Sequence, residues 1–130
     1  MNYVGKQRLL KLAKFLREKV EDKNFDLTTI KNETKCVSTA CALGYFPKCF
    51  PGHGFQLNNE SAYHYPGTKK YFYTLSNKSG NIDYDVASKF FGIGYGDSLH
   101  LFSPSYYPKS HRSRNYVVKR IESFVKQLGV

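Results

Sequence analysis

Apolar residues recur at helical spacing in two long stretches of the chain. Leu9, Leu12, Ala13, Leu16 and Val20 fall on one face of the segment 6–20, with Lys6, Arg8, Lys11, Lys14, Arg17 and Lys19 on the rest. The spacing predicts an amphipathic helix there, its charged side solvated. Val117, Ile121, Phe124, Val125 and Leu128 form the same pattern between Arg114 and Leu128, the clearest periodicity in the sequence. Ser113 stands where an N-cap belongs, and Glu122 precedes Lys126 by four, a spacing that favours a pair on the wet side. Between these ends the pattern is shorter. Val86, Ala87, Phe90 and Phe91 predict a third helix, capped by Asp83, favoured by Asp85 in its first turn and stopped by Gly92. Leu99 to Phe102 predicts a short helix capped by Asp97 or Ser98. Pro104 and Pro108 frame a non-helical Ser-Tyr-Tyr.

Two middle segments break both periods. Lys35 to Gly44 is a run of small and apolar residues. It predicts a central helix capped by Ser38 or Thr39 and ended by Gly44, with the other helices around it. Phe46 to Gly80 reads as loop-rich. Gly52 to Ser61 is a polar loop, Pro66-Gly67 a turn, Tyr71 to Leu75 a strand of aromatic and β-branched residues, and Ser76 to Asn81 a loop tip. Phe25 to Ile30 alternates weakly, as a short strand or an extended connection. The fold class expected is mainly α (α+β): one globular domain spanning 1–130, with four to five helices and a short strand pair.

Composition sharpens this. The chain has 130 residues, 41% hydrophobic, enough for one core without staples. Twenty Lys and Arg against ten Asp and Glu give a net charge of +10, which attracts polyanions and anionic small molecules. Three cysteines, an odd number, argue against a closed disulfide framework and for a reducing, cytoplasmic setting. No leader pattern and no apolar run of membrane-spanning length is present, so no membrane partner is expected.

Several motifs invite chemistry. Cys36, Cys41, Cys49 and His53 spell Cys-x4-Cys-x7-Cys-x3-His, a donor set that can close a tetrahedral zinc site. Cys36 and Cys41 lie about a turn and a half apart on the expected helix, which suits packing better than chelation. Cys36 at a helix start could serve as a nucleophile with His53 or His64 as base, but no orienting third residue is apparent. Asp85 to Phe102 can be read as helix-turn-helix, but Gly92 stands five after Ala87 where that pattern has four, and the second helix offers few base-reading side chains, so two packed helices are expected. Gly92-x-Gly94-x-Gly96 follows a helix rather than a strand, so it is a helix stop and turn rather than a phosphate loop. No catalytic set, metal site or cofactor is assigned, and a non-enzymatic role is expected.

The strongest constellation joins cations to aromatic rings in two segments: Lys69, Lys70, Tyr71 and Tyr73 in one, Tyr106, Tyr107, Lys109, Arg112 and Arg114 in the other. Arg recognises phosphate in a planar, bidentate way, and Tyr can stack on a base. The free amides that open the last helix add anion affinity. The plain alternative is that the rings fill the core and the cations are solvated.

The order Cys36-Val37-Ser38-Thr39-Ala40-Cys41-Ala42-Leu43-Gly44, then Phe90-Phe91-Gly92-Ile93, then Leu101-Phe102 and Tyr107-Pro108 before a closing amphipathic helix, resembles a loose group of small uncharacterised phage and bacterial proteins. These carry Cys-Gly-Thr-x-x-Cys-Ala-x-Gly, then Phe-Phe-Gly-Leu, then Leu-Phe and Tyr-Pro. The opening Arg8 to Ala13 is similar too. Val37 departs from the group's Gly. The resemblance implies a phage or prophage context and the host cytoplasm. It implies no activity by itself, but small phage proteins of this kind often block host defence. The expected function is therefore a binding protein that sequesters an anionic nucleotide-like ligand. A nucleic-acid-binding regulator and a protein–protein inhibitor of a host defence factor are the alternatives, and a homo-oligomer is left open.

Overall fold

The computed structural model describes residues 2–25, 32–33, 38–39, 41–64 and 68–128, with the strand positions 32–33, 38–39, 59–64 and 68–73 described by backbone alone. Among the described residues the fold is mainly α, with five α-helices and two small antiparallel pairs. Helix α1 runs Tyr3–Lys19, opened by Asn2, whose side chain accepts the Gly5 N–H at 2.9 Å. Helix α5 runs Arg114–Leu128, where the periodicity places it. The two helices lie against each other, and their stripes (Leu9, Leu12 and Leu16; Val117, Ile121 and Val125) belong to one core. A guanidinium reinforces the join: Arg114 donates to the Val20 carbonyl just past the end of α1.

The expected Glu122–Lys126 pair gives way to a contact across this interface. Glu122 meets Arg17 of α1 at 2.6 Å, because α1 brings a cation closer than the next turn of α5 does. The far end of the α5 stripe is also corrected. Phe124 is only partly buried, and Leu128 is 43% exposed.

The run read as a central helix is not one. Cys36 lies outside the described residues. Ser38–Thr39 is strand β2, paired antiparallel with β1, Asn32–Glu33. Among the described residues of the run, helical backbone begins at Ala42, as a 3-10 turn through Tyr45 that leads into the single-turn helix α2, Phe46–Cys49. Gly44 sits inside that turn rather than stopping a helix. Pro47 lies at the start of α2, where its missing N–H costs nothing, so it opens a helix instead of breaking one. The segment is nonetheless core: Cys41, Ala42, Leu43, Phe46, Cys49 and Phe50 are all buried.

Gly52 to Ser61 is likewise not all loop. Strand β3, Gln56–His64, pairs along its whole length with β4, Thr68–Ser76, in the register Gln56↔Ser76 to His64↔Thr68. The expected Pro66-Gly67 turn lies outside the described residues. Of the weak alternation Phe25 to Ile30, only Phe25 is described, in an isolated bridge position. The polar β3 is held by its aromatic-rich partner, so ladder pairing overrides its poor intrinsic preference.

Helix α3, Tyr84–Phe91, ends on Gly92 in the left-handed conformation at φ 67°, as expected. Asp83 does precede it, but its carboxylate does not cap the helix. Asp83 Oδ1 accepts the Leu75 N–H at 2.9 Å, and the Asp83 N–H donates to the Leu75 carbonyl at 2.8 Å. This reciprocal pair fastens the hairpin to the helices. Among the described residues Asp83 is the one non-glycine at positive φ, 50°, a conformation Asp and Asn tolerate best. Helix α4, Tyr95–Phe102, starts a turn earlier than expected, after Gly94 rather than at Asp97 or Ser98. Ser98 is buried instead, its hydroxyl 2.8 Å from that of Ser88 on α3.

Two outcomes test this architecture. Ile121 is fully buried, so Ile121→Ala should cost ~2–5 kcal/mol by cavity formation, whereas Phe124→Ala should cost less. Denaturant unfolding of both variants measures the difference, and a smaller loss at Ile121 would remove α5 from the core. Burial pushes the Asp83 carboxyl above its ordinary value, and the Leu75 amide pulls it partly back. A raised carboxyl favours the folded state below the ordinary carboxylate range, and that contribution is lost as pH rises through the folded value. Asp83→Asn keeps the acceptor without the charge. It should therefore be no less stable at neutral pH and should lose that acid-range step. Asp83→Ala strands a buried N–H and should cost ~1–3 kcal/mol.

Candidate anion-binding cleft

Helix α5 has a second stripe. Tyr116, Lys119, Arg120, Ser123 and Gln127 follow the same helical spacing as the core stripe, displaced around the axis. With Asp97 and His100 of α4, and Tyr107 and His111 of the connection, they line a cleft of about 530 Å³, with Phe124 at its side.

Arg120 is the fixed point. One of its terminal nitrogens, Nη1, donates to the carbonyls of His100 at 2.8 Å and Tyr106 at 2.7 Å. Its guanidinium carbon lies 3.6 Å above the centroid of the Tyr107 ring. Tyr107 is itself held: it is 4% exposed, and its hydroxyl donates to the Leu101 carbonyl at 2.5 Å. Burial pushes the Tyr107 phenol well above its usual value, and the neighbouring Arg120 pulls it partly back. The phenol therefore stays a donor. Nearby, His111 stacks on Tyr116 with ring centroids 4.3 Å apart and planes 24° from parallel, and His100 meets Tyr106 at 6.3 Å. The cleft thus offers a positioned guanidinium, an exposed ammonium on Lys119, two imidazoles and an aromatic platform. Asp97 is the one carboxylate on its lining.

The residues expected from sequence distribute unevenly around this cleft. Tyr107 lines it. Tyr106 and Lys109 are exposed beside it, on the 3-10 turns Pro104–Tyr106 and Lys109–His111. Arg112 follows, half-buried, with its Nε lacking a protein partner. Arg114 faces elsewhere: besides Val20, it donates to Asn115 Oδ1 at 3.3 Å and lies 3.5 Å from Asp22 Oδ1. Its donors tie α5 to α1. Lys69, Lys70, Tyr71 and Tyr73 lie on β4, with Tyr71 and Tyr73 at alternate positions opposite Ser61 and Asn59. Their side chains fall outside what the structure describes, so the cleft stands without them. Reasoning from sequence missed His100, His111, Tyr116, Lys119 and Arg120. The signal for the last three was present as a second period on α5, beside the core stripe that alone was read there.

The cysteine motif leads elsewhere. Cys41 and Cys49 are buried free thiols, and burial pushes both up to about 11. His53 is exposed and lies against Phe50 and Phe55. Among the described residues no three His, Cys, Asp or Glu side chains stand together as a metal site, and no helix is long and apolar enough to cross a membrane.

Native Cys41 and Cys49 should react slowly with an aqueous thiol reagent at about pH 8, because the nucleophile is the thiolate. Both should label on unfolding, as mass spectrometry of labelled peptides would show. Fast native labelling of Cys41 would mean that the 3-10 turn opens readily.

The chain matches no family model, no curated protein and no solved structure, so the functional reading rests on the cleft's own geometry.

Proposed function

We propose that the protein is a non-enzymatic binding protein that holds an anionic, nucleotide-like ligand in the cleft between α4 and α5. The observation that carries this reading is Arg120, fixed by two carbonyls and the Tyr107 ring in a cleft of about 530 Å³, with Lys119 next to it on the same helix. A guanidinium immobilised before binding loses little further freedom on meeting a phosphate. The volume suits a small molecule. The His111–Tyr116 pair gives a base or other planar group a surface to stack on, and Ser123 and Gln127 offer hydrogen bonds to its edge. The net charge of +10 supports the capture of anions from solution. In the phage setting that the sequence resemblance implies, such a protein would act in the host cytoplasm, depleting a signal nucleotide on which host defence depends.

Calorimetric titration with mono-, di- and cyclic nucleotides, and with short oligonucleotides, at two salt concentrations tests the reading. A nucleotide should bind, with modest salt dependence. Lys119→Glu should weaken it roughly ten- to a hundred-fold through loss of a charge-assisted contact. Lys119 is exposed, so the fold should survive. Oligonucleotide binding that falls steeply with salt would favour a nucleic-acid regulator instead. No binding of either class would sink the proposal.

A further inference from the structure

A second concave surface lies away from the cleft, where the N-terminal half of α1 meets the loop before β3, the loop after β4 and the end of α3. Two adjoining hollows of about 240 and 260 Å³ share Arg8 and His53 as their common wall. We propose that this groove docks an acidic segment of a partner protein, which inserts an apolar side chain between the lysines of its rim.

The floor is aromatic. Phe90 has Phe50, His53 and Phe55 around it edge-on, with centroids 4.7, 5.0 and 4.9 Å away. Tyr3 and Val4, 67% and 51% exposed, continue the apolar surface along α1. Cations lie across the rings. The Arg8 guanidinium is 4.1 Å over Phe90, with Nη1 donating to the Phe90 carbonyl at 2.8 Å, and the Lys11 ammonium is 5.5 Å over Phe50. Lys78 and Lys89 complete the rim. The stem of Lys78 crosses Gly54, where a Cβ would meet it at 2.4–2.8 Å and where φ is +78°, so glycine is what allows the lysine to lie there.

The charge on this surface is one-sided. Neither hollow has a carboxylate in its lining. Among the described residues Arg8, Lys11, Lys78 and Lys89 form no ion pair. An apolar floor under an uncompensated cationic rim is complementary to a segment with an apolar anchor between acids. Arg8 and Lys11 already cover faces of Phe90 and Phe50, which closes them to a stacked base, and the exposed Tyr3 and Val4 are left to meet an aliphatic or aromatic side chain. A second copy of this chain would bring the same cations together, which opposes a symmetric contact. A concave groove also fits a segment rather than a flat bilayer.

The test is a random-peptide display selection on the immobilised whole chain, followed by fluorescence-anisotropy titration of the recovered peptides. Recovered sequences should be enriched in Asp and Glu around a Leu, Ile, Phe or Tyr centre. Their affinity should fall at least tenfold for the double substitution Lys78→Glu with Lys89→Glu, and should be unchanged for Lys119→Glu, which separates this groove from the cleft. Lys78 and Lys89 are exposed, so thermal unfolding should match the parent chain. Should the double variant unfold, Tyr3→Ser, at a position outside the core, must itself weaken binding. Recovery of no peptides, of neutral or basic peptides, or of peptides indifferent to these substitutions would overturn the proposal. So would displacement of bound peptide by a short oligonucleotide in the parent chain but not in the lysine variant.

Discussion

The apolar stripe of α1 against that of α5 is the contact on which the rest of the molecule hangs. Each fully buried leucine, isoleucine or valine along it contributes ~1.5–3 kcal/mol by leaving water. The Arg17–Glu122 pair over the same interface is about half exposed on both sides, where solvent screening and side-chain entropy offset most of the Coulombic gain. Hydrophobic burial therefore holds the helices together, and the ion pair adds orientation at most. Both proposed surfaces depend on that join. The cleft is built on the α5 stripe that faces away from the core, and the groove on the first turns of α1. Each helix thus spends one face on the core and keeps another for contact outside it.

The hairpin is tied to this body by a polar device rather than an apolar one. Leu75 supplies a fully buried side chain, but its backbone groups are satisfied by Asp83. The carboxylate expected to cap α3 instead completes the end of β4. Asp83 makes both contacts from a positive φ, which Asp tolerates better than most residues. The loop that the pair closes carries Lys78 to the rim of the groove, so a backbone constraint at Asp83 helps to set the position of a surface charge.

Sequence reasoning reached the elements that carry their own period. Helices α1, α3 and α5 repeat apolar residues often enough to be located within a few residues, and Gly92 marks a boundary with a known mechanism. It failed where structure comes from partners. The segment Ala42–Cys49 is two short turns with no room for a period, and its burial reflects what packs over it. Strand β3 is polar because the hairpin does not need it to be otherwise. The candidate cleft was half legible. The Tyr106–Arg112 neighbourhood was found as a basic and aromatic run, but Lys119 and Arg120 were hidden in a helix whose core stripe already explained its pattern. Arg114 shows the opposite error: a cation that looks free in sequence donates through its terminal nitrogens to Val20 and Asn115 and lies beside Asp22.

The join between α1 and α5 also has a kinetic side. Arg17 and Glu122 are 105 positions apart, and the stripes beneath them are separated to a similar degree. Closing so long a segment costs conformational entropy before any apolar surface is gained. Neither helix can hold its amphipathic face out of water until the other arrives, so their meeting is a non-local step of the sort that slows folding. Local structure such as the β3–β4 hairpin has no such separation to cross and can form first. The contact that joins the two ends of the chain is thus one of its most non-local.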